Sequence, residues 1–143
     1  MADASGYGRL LADPDPAVGE WGAQEWCVWK GTHVSLMPGW APNPRYEVPG
    51  FRMVFAQMVT HFRSRGCFLI DGQVLAGLLP RLRGMPAVLV YGRHDMSGPL
   101  EAARELHRVW SEASSVVVEH AGHGGGGFAE ALADALDRLR ASV

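Results

Sequence analysis

The run Pro86-Ala87-Val88-Leu89-Val90-Tyr91-Gly92 is apolar until a glycine closes it, and Arg93-His94-Asp95 follows at once. An unbroken apolar run of this length reads as a strand buried on both faces, as in a parallel sheet. Downstream, Ser115-Val116-Val117-Val118-Glu119 reads as a second such strand. Between them, Pro99 to Trp110 places Leu100, Ala103, Leu106 and Val109 or Trp110 on one helical face, and Phe128 to Leu139 repeats the pattern as a closing helix. Strand, helix, strand, helix predicts an α/β fold with a parallel sheet. Two apolar strands leave at least one edge without a partner, so further strands are expected and the sequence reads as the end of a larger fold.

The stretch before this unit has a different character. From Tyr7 to about Asp71 it predicts helical pieces joined by loops. Asp13-Pro14-Asp15-Pro16 is a helix start, with Asp15 able to cap and Pro16 suited to the first turn. Val18, Trp21, Glu25, Trp26 and Trp29 follow at helical spacings, and Trp21 and Trp26 are expected to bury against a second helix. Pro38, Pro42, Pro44 and Pro49 forbid a long helix, which makes Met37 to Gly50 a loop that carries Trp40. Phe51, Val54, Phe55, Met58, Val59 and Phe62 restore the helical period, and Gly66 ends it. Val74 to Leu82 predicts a short apolar helix that finishes near Gly84.

Composition narrows the function. The chain has 143 residues, the size of one ordinary domain, with 48% hydrophobic and 20% charged residues, which is globular rather than disordered. Thirteen basic against fifteen acidic residues give a net charge of -2, so no basic excess asks for nucleic acid. No apolar run approaches the roughly 20 residues that span a bilayer. Met1–Leu10 lacks the basic start and apolar core of a secretory leader. Cys27 and Cys67 are too few and too far apart for a disulfide framework or a metal motif, and both sit among apolar residues. They are expected to be buried, reduced thiols in a cytoplasmic protein.

Chemistry concentrates after the two strands. Sites in open parallel sheets form beyond the carboxyl ends of strands. Asp95 follows the first strand, and Ala121-Gly122-His123 follows the second. An acid and a histidine at successive strand ends can meet, the acid holding the imidazole in one tautomer while the histidine acts as general base. The ordinary alternative is an Asp that caps the next helix and a loop histidine among glycines. A metal site built from His94, Asp95, His120 and His123 ranks below the acid–base pair, and no cofactor is called for. The order, acid and then histidine, is the tail of the Ser…Asp…His order of α/β-hydrolases. No Gly-x-Ser-x-Gly occurs, and Ser64 and Ser97 lack a strand-to-helix elbow. The glycines after His123 follow the last strand, so they do not match an oxyanion loop that must precede the nucleophile. Flexible carriage of His123 into the closing helix fits them better.

Tyr7-x-x-Leu10-Leu11, Asp15-Pro16-Ala17-Val18 and Trp26-x-x-Trp29-x-Gly31 resemble the start of the cap in proline iminopeptidases, the prolyl aminopeptidases of the α/β-hydrolase superfamily. Phe55-Ala56, His61-Phe62 and Gly66-x-Phe68-Leu69 resemble a later cap helix. Gly92-Arg93-x-Asp95-Met96, Leu106-His107-x-x-Trp110 and Ala121-Gly122-His123 are similar to the acid-bearing and histidine-bearing segments of the same enzymes. The resemblance implies the C-terminal part of an α/β-hydrolase, with residues 1–72 as a helical cap segment and 73–143 as the last two βα units of the core. It implies a serine-type peptidase that releases N-terminal proline from peptides, with Asp95 as triad acid and His123 as triad base. Family members carry a His-Gly-Gly-Pro-Gly oxyanion loop and a Gly-Gly-Ser-Trp-Gly elbow in their N-terminal half, and neither string occurs here. The chain is therefore expected to be a truncated C-terminal half, inactive by itself. Lys30 and Val59 stand where the family has carboxylates that hold the substrate's amine, so Lys30, Val59 and Trp29 are the candidate substrate-binding positions. A cationic Lys30 opens a second expectation, a different amide or ester with an acidic group near it. A third is a non-catalytic remnant or interaction module. The partners implied are a peptide or small amide, together with a separate N-terminal half or a second copy joined through the open sheet edge. Nucleic acid and membrane are not among them.

Overall fold

In the computed structural model, which describes residues 4–141, the Asp15-Pro16 signal opens a long helix. Asp15 Oδ1 accepts from Ala17 N at 2.9 Å, satisfying a first-turn amide that has no partner inside the helix. The chain separates into two compact units. One comprises the described residues up to Thr32 together with Ala41–Ile70; the other comprises His33–Trp40 and residues from Asp71 onward.

The first unit holds α1 (Ala4–Leu10), most of α2 (Pro16–His33) and α3 (Pro49–Arg63). Its core is Leu11, Ala23, Trp26, Cys27 and Ala56, with Tyr7, Trp29, Phe55 and Val59 packed around them. Trp26 is 1% exposed and meets the Tyr7 ring edge-on at 5.2 Å. The expectation that Trp21 is also buried is overturned, for it is 55% exposed. The buried face of α2 is Gly19, Gly22, Ala23, Trp26, Cys27, Lys30 and Gly31, a stripe made largely of small residues. A Cβ at position 22 would stand 3.1 Å from Leu10 Cβ, so the close approach of Leu10 selects the glycine face. Trp21 lies about 100° round the helix from its neighbour Gly22 and faces water. The Pro-rich stretch is not wholly irregular: Asn43 caps a short 3₁₀ turn, Pro44–Glu47. Cys67 is exposed, against the expectation of a buried thiol. Gly66, Cys67 and Phe68 all take positive φ beyond the end of α3, so the thiol sits in a left-handed turn and not on the helix.

The second unit carries the α/β part. Gln73–Leu78 is a wide π turn and Leu79–Leu82 a 3₁₀ turn, with Leu79 buried. β1 (Ala87–Gly92), α4 (Leu100–Val109), β2 (Ala113–Val118) and α5 (Phe128–Ala141) follow in the predicted order. β1 and β2 pair in parallel, from Ala87 opposite Ala113 to Gly92 opposite Val118, and both α4 and α5 pack on β1. Trp110 Nε1 donates to Met85 O at 3.2 Å, and Gly84 N donates to Glu112 Oε1 at 3.0 Å. These bonds tie the start of β1 to the start of β2, and the second of them holds the Glu112 carboxyl below its ordinary pKa. The strands are not buried on both faces as their composition predicts: Ala87 to Tyr91 are only half-buried, and Ser114 and Ser115 are exposed. Among the described residues β1 pairs with β2 alone, so the sheet has too few strands to cover its own apolar side chains. Among the described residues no helix is long and apolar enough to cross a membrane.

Candidate active site

The two loops after β1 and β2 are built against each other. Arg93 N donates to Val118 O at 3.0 Å and His94 N to Ala121 O at 2.9 Å, so the parallel pairing continues past the strand ends. Glycine makes this approach possible. A Cβ at Gly92 would overlap Gly122 O and stand 2.7 Å from Ala121 O. Outside these contacts, the exposed Arg93 guanidinium grips Glu119 twice, at 2.8 and 2.6 Å. This pairing holds Glu119 below its ordinary pKa and Arg93 above its own.

Asp95 sits inside this frame and divides its carboxylate. Oδ1 accepts from Ser97 N at 2.7 Å and Gly98 N at 3.0 Å, which closes a tight turn ahead of α4. Oδ2 lies 3.0 Å from His123 Nδ1. Asp95 thus closes a turn with one oxygen and faces His123 with the other; it does not cap α4, whose N-cap is Pro99 with no side-chain hydrogen bond. The Asp95 side chain is 16% exposed and that of His123 48%, so the acid is sheltered while the imidazole reaches solvent. In the tautomer with the proton on Nδ1, that nitrogen donates to Oδ2 and Nε2 is left as the acceptor.

His123 reaches this position through an abrupt turn. Gly124, Gly125, Gly126 and Gly127 all have positive φ, and Phe128 N donates to Gly125 O at 2.9 Å as α5 begins. A Cβ at Gly126 would overlap His120 O, so that glycine answers a steric demand as well as the conformational one that all four share. Among the described residues no group of three His, Cys, Asp or Glu side chains converges to hold a metal ion.

Trp29, Lys30 and Val59 belong to the first unit, Asp95 and His123 to the second. Trp29 and Val59 pack against the core of the first unit, and Lys30 is buried on the inner face of α2. A cavity of about 640 Å³ in the first unit, lined by Arg9, Leu11, Thr60, His61 and Arg65 among others, includes none of these five residues. One element of the site has no counterpart in the sequence reading. Residues 34–36 run antiparallel to residues 94–96, with Ser35 bridged to Asp95. A single isolated bridge carries no periodic signal, and only the polar Ser35 between Val34 and Leu36 marks it in the sequence.

No family model matches the chain. Among curated proteins it is similar to a probable proline iminopeptidase of Streptomyces coelicolor, 39% identical over 92% of this chain and 42% of that protein. A probable proline iminopeptidase of Leptolyngbya boryana is 34% identical over 94% of this chain and 43% of its own length. The proline iminopeptidase of Xylella fastidiosa is 34% identical over 83% of this chain and 38% of that protein. The chain thus spans about two fifths of the length of these relatives.

Proposed function

Starting from a chain that matches proline iminopeptidases along nearly all of its length, we propose that it supplies the acid, the base and part of the cap of a prolyl aminopeptidase-like serine hydrolase. The observation that carries this reading is the 3.0 Å contact between Asp95 Oδ2 and His123 Nδ1 at the ends of successive parallel strands. Residues 73–143 are read as the end of the hydrolase core and residues 1–72 as a cap segment.

In this reading the nucleophilic serine comes from sequence beyond these 143 residues, and the chain without it is inactive. The serine hydroxyl attacks the carbonyl carbon of the peptide bond after proline and passes its proton to His123 Nε2. The imidazolium is stabilised by Asp95, which stays ionised. His123 then returns the proton to the leaving amine, the C–N bond breaks, and proline remains as an ester on the serine. Water, deprotonated by the same nitrogen, releases it as free proline. The glycine-built contacts of Gly92 and Gly122 support the reading, because they hold the two loops in the register the pair needs. The two free thiols go with a cytoplasmic setting.

Lys30 and Val59 bear on specificity. By the resemblance, residue 30 is an amine-binding position; an ammonium there would disfavour the free amine of an N-terminal proline, so a blocked or acidic acyl group is the alternative substrate. A chimera separates the two readings: these residues replace the matching segment of the Streptomyces coelicolor relative. Turnover of proline 4-nitroanilide well above that of N-acetylproline 4-nitroanilide and of 4-nitrophenyl acetate supports the aminopeptidase. A reversed order supports the alternative, and turnover of none of the three contradicts both.

A further inference from the structure

The backbone on each side of Asp95 is tied to the backbone on each side of Ser35. Leu36 N donates to His94 O at 2.9 Å, and Met96 N donates to Val34 O at 3.0 Å. The Ser35 side chain is buried, and its hydroxyl oxygen accepts from Met37 N at 3.1 Å. The same hydroxymethyl group fills the space over Gly122, the residue before His123. A methyl built on Gly122 would overlap Ser35 Oγ and stand 2.7 Å from Ser35 Cβ. Met37 adds a second contact, 3.4 Å from Cβ positions built at both Gly122 and Gly125. The strap therefore holds the backbone on each side of the acid through Val34 and Leu36, and the Ser35 side chain lies over the residue before the base.

We infer that Ser35 is a positioning residue for the Asp95–His123 pair, a spacer that sets the distance between the two loops. The inference rests on the reading of that pair as acid and base. Its physical ground is the looseness of the chain just after His123. Four consecutive glycines give the histidine loop little stiffness of its own, and the imidazole is half-exposed. A hydrogen bond weakens steeply outside its narrow range of distance and angle, so displacing Gly122 by a fraction of an ångström is enough to separate Nδ1 from Oδ2. The strap at residues 34–37 touches both loops, and the match between a side chain at residue 35 and none at residue 122 fixes their spacing.

That match can be transposed. Gly122→Ala puts a methyl where Ser35 Oγ lies, and adding Ser35→Gly vacates that space. The first readout is the imidazole nitrogen shifts of His123 in the ¹⁵N-histidine-labelled chain, recorded at a pH where the ring is neutral. The unmodified chain should carry the proton on Nδ1. Gly122→Ala should move it toward the Nε2–H form of free histidine, and the double variant should restore Nδ1–H. In the chimera, kcat on proline 4-nitroanilide should fall at least ~10-fold in the single variant and recover to within ~3-fold in the double, with KM within about twofold throughout. The inference is overturned if Gly122→Ala keeps the Nδ1–H tautomer, or if the double variant comes no closer to the unmodified chain than the single one. A chimera without turnover before any substitution contradicts the hydrolase reading and leaves the tautomer shifts as the test of Ser35.

Discussion

Replacing Asp95 by asparagine separates its two duties. The amide oxygen of the new side chain can still accept from Ser97 N and Gly98 N, so the turn ahead of α4 survives. The NH₂ group then takes the place of Oδ2, 3.0 Å from His123 Nδ1. A donor facing Nδ1 turns that nitrogen into an acceptor and moves the ring proton to Nε2, the atom that must receive the serine proton. Where triad hydrolases lose the correct tautomer this way, kcat falls about 10⁴-fold, or roughly 5.4 kcal/mol of barrier. Asp95→Ala loses both duties. It leaves two backbone amides of a sheltered turn without their charged acceptor, each worth about 1.5–3 kcal/mol before a modest discount for exposure. The assay is kcat of the chimera on proline 4-nitroanilide, read beside the thermal midpoint of each variant in this chain. Asp95→Asn should lose activity with its midpoint unchanged, and Asp95→Ala should lose both. An Asp95→Asn variant within about tenfold of the unmodified kcat would refute the reasoning, as would one whose midpoint falls as far as that of Asp95→Ala.

Trp26→Ala should cost about 3–5 kcal/mol in urea unfolding, since this fully buried ring packs on Tyr7 and Trp29. Trp26→Phe should cost far less, because the buried indole N–H finds no hydrogen-bond partner among the described residues. Cys67 should react with a thiol reagent at about pH 8 while Cys27 stays protected, its thiol pushed up to about 11 by burial against the smaller lowering effect of Arg52. The linked stability has a definite sign. The Cys27 contribution is complete below pH 9.0, shrinks as the unfolded chain releases a proton the folded chain keeps, and is lost as pH rises through about 11. Arg93→Gln should leave the thermal midpoint within about 1 °C, because its pairing with Glu119 is exposed and screened.

Much of the second unit is legible because its signals are local. Unbroken apolar runs over 86–92 and 116–118 carry the strands, and the amphipathic stretch between them carries the crossover helix. β2 begins three residues before the apolar run, at Ala113, because the pairing of Ala87 with Ala113 is set by the partner strand rather than by hydropathy. Asp95 and His123 stand out for a similar reason, as polar residues placed just beyond two strand ends. The inner face of α2 is less legible: glycines and an alanine let neighbouring backbone come close, and a search for large apolar side chains selects Trp21 instead. Cys67 depends on a left-handed turn that its apolar neighbours do not announce. The strap at residues 34–37 leaves only the polar Ser35 between Val34 and Leu36 as its mark, since it meets residues 94–96, far along the chain, through one bridge.

The central claim is that His123, held by Asp95, is the base of an acyl transfer. The most direct test is kcat of the chimera on proline 4-nitroanilide with and without His123→Ala. A fall of at least ~10³-fold is expected, with the fold intact by circular dichroism. Turnover within about tenfold of the unmodified chimera would contradict it.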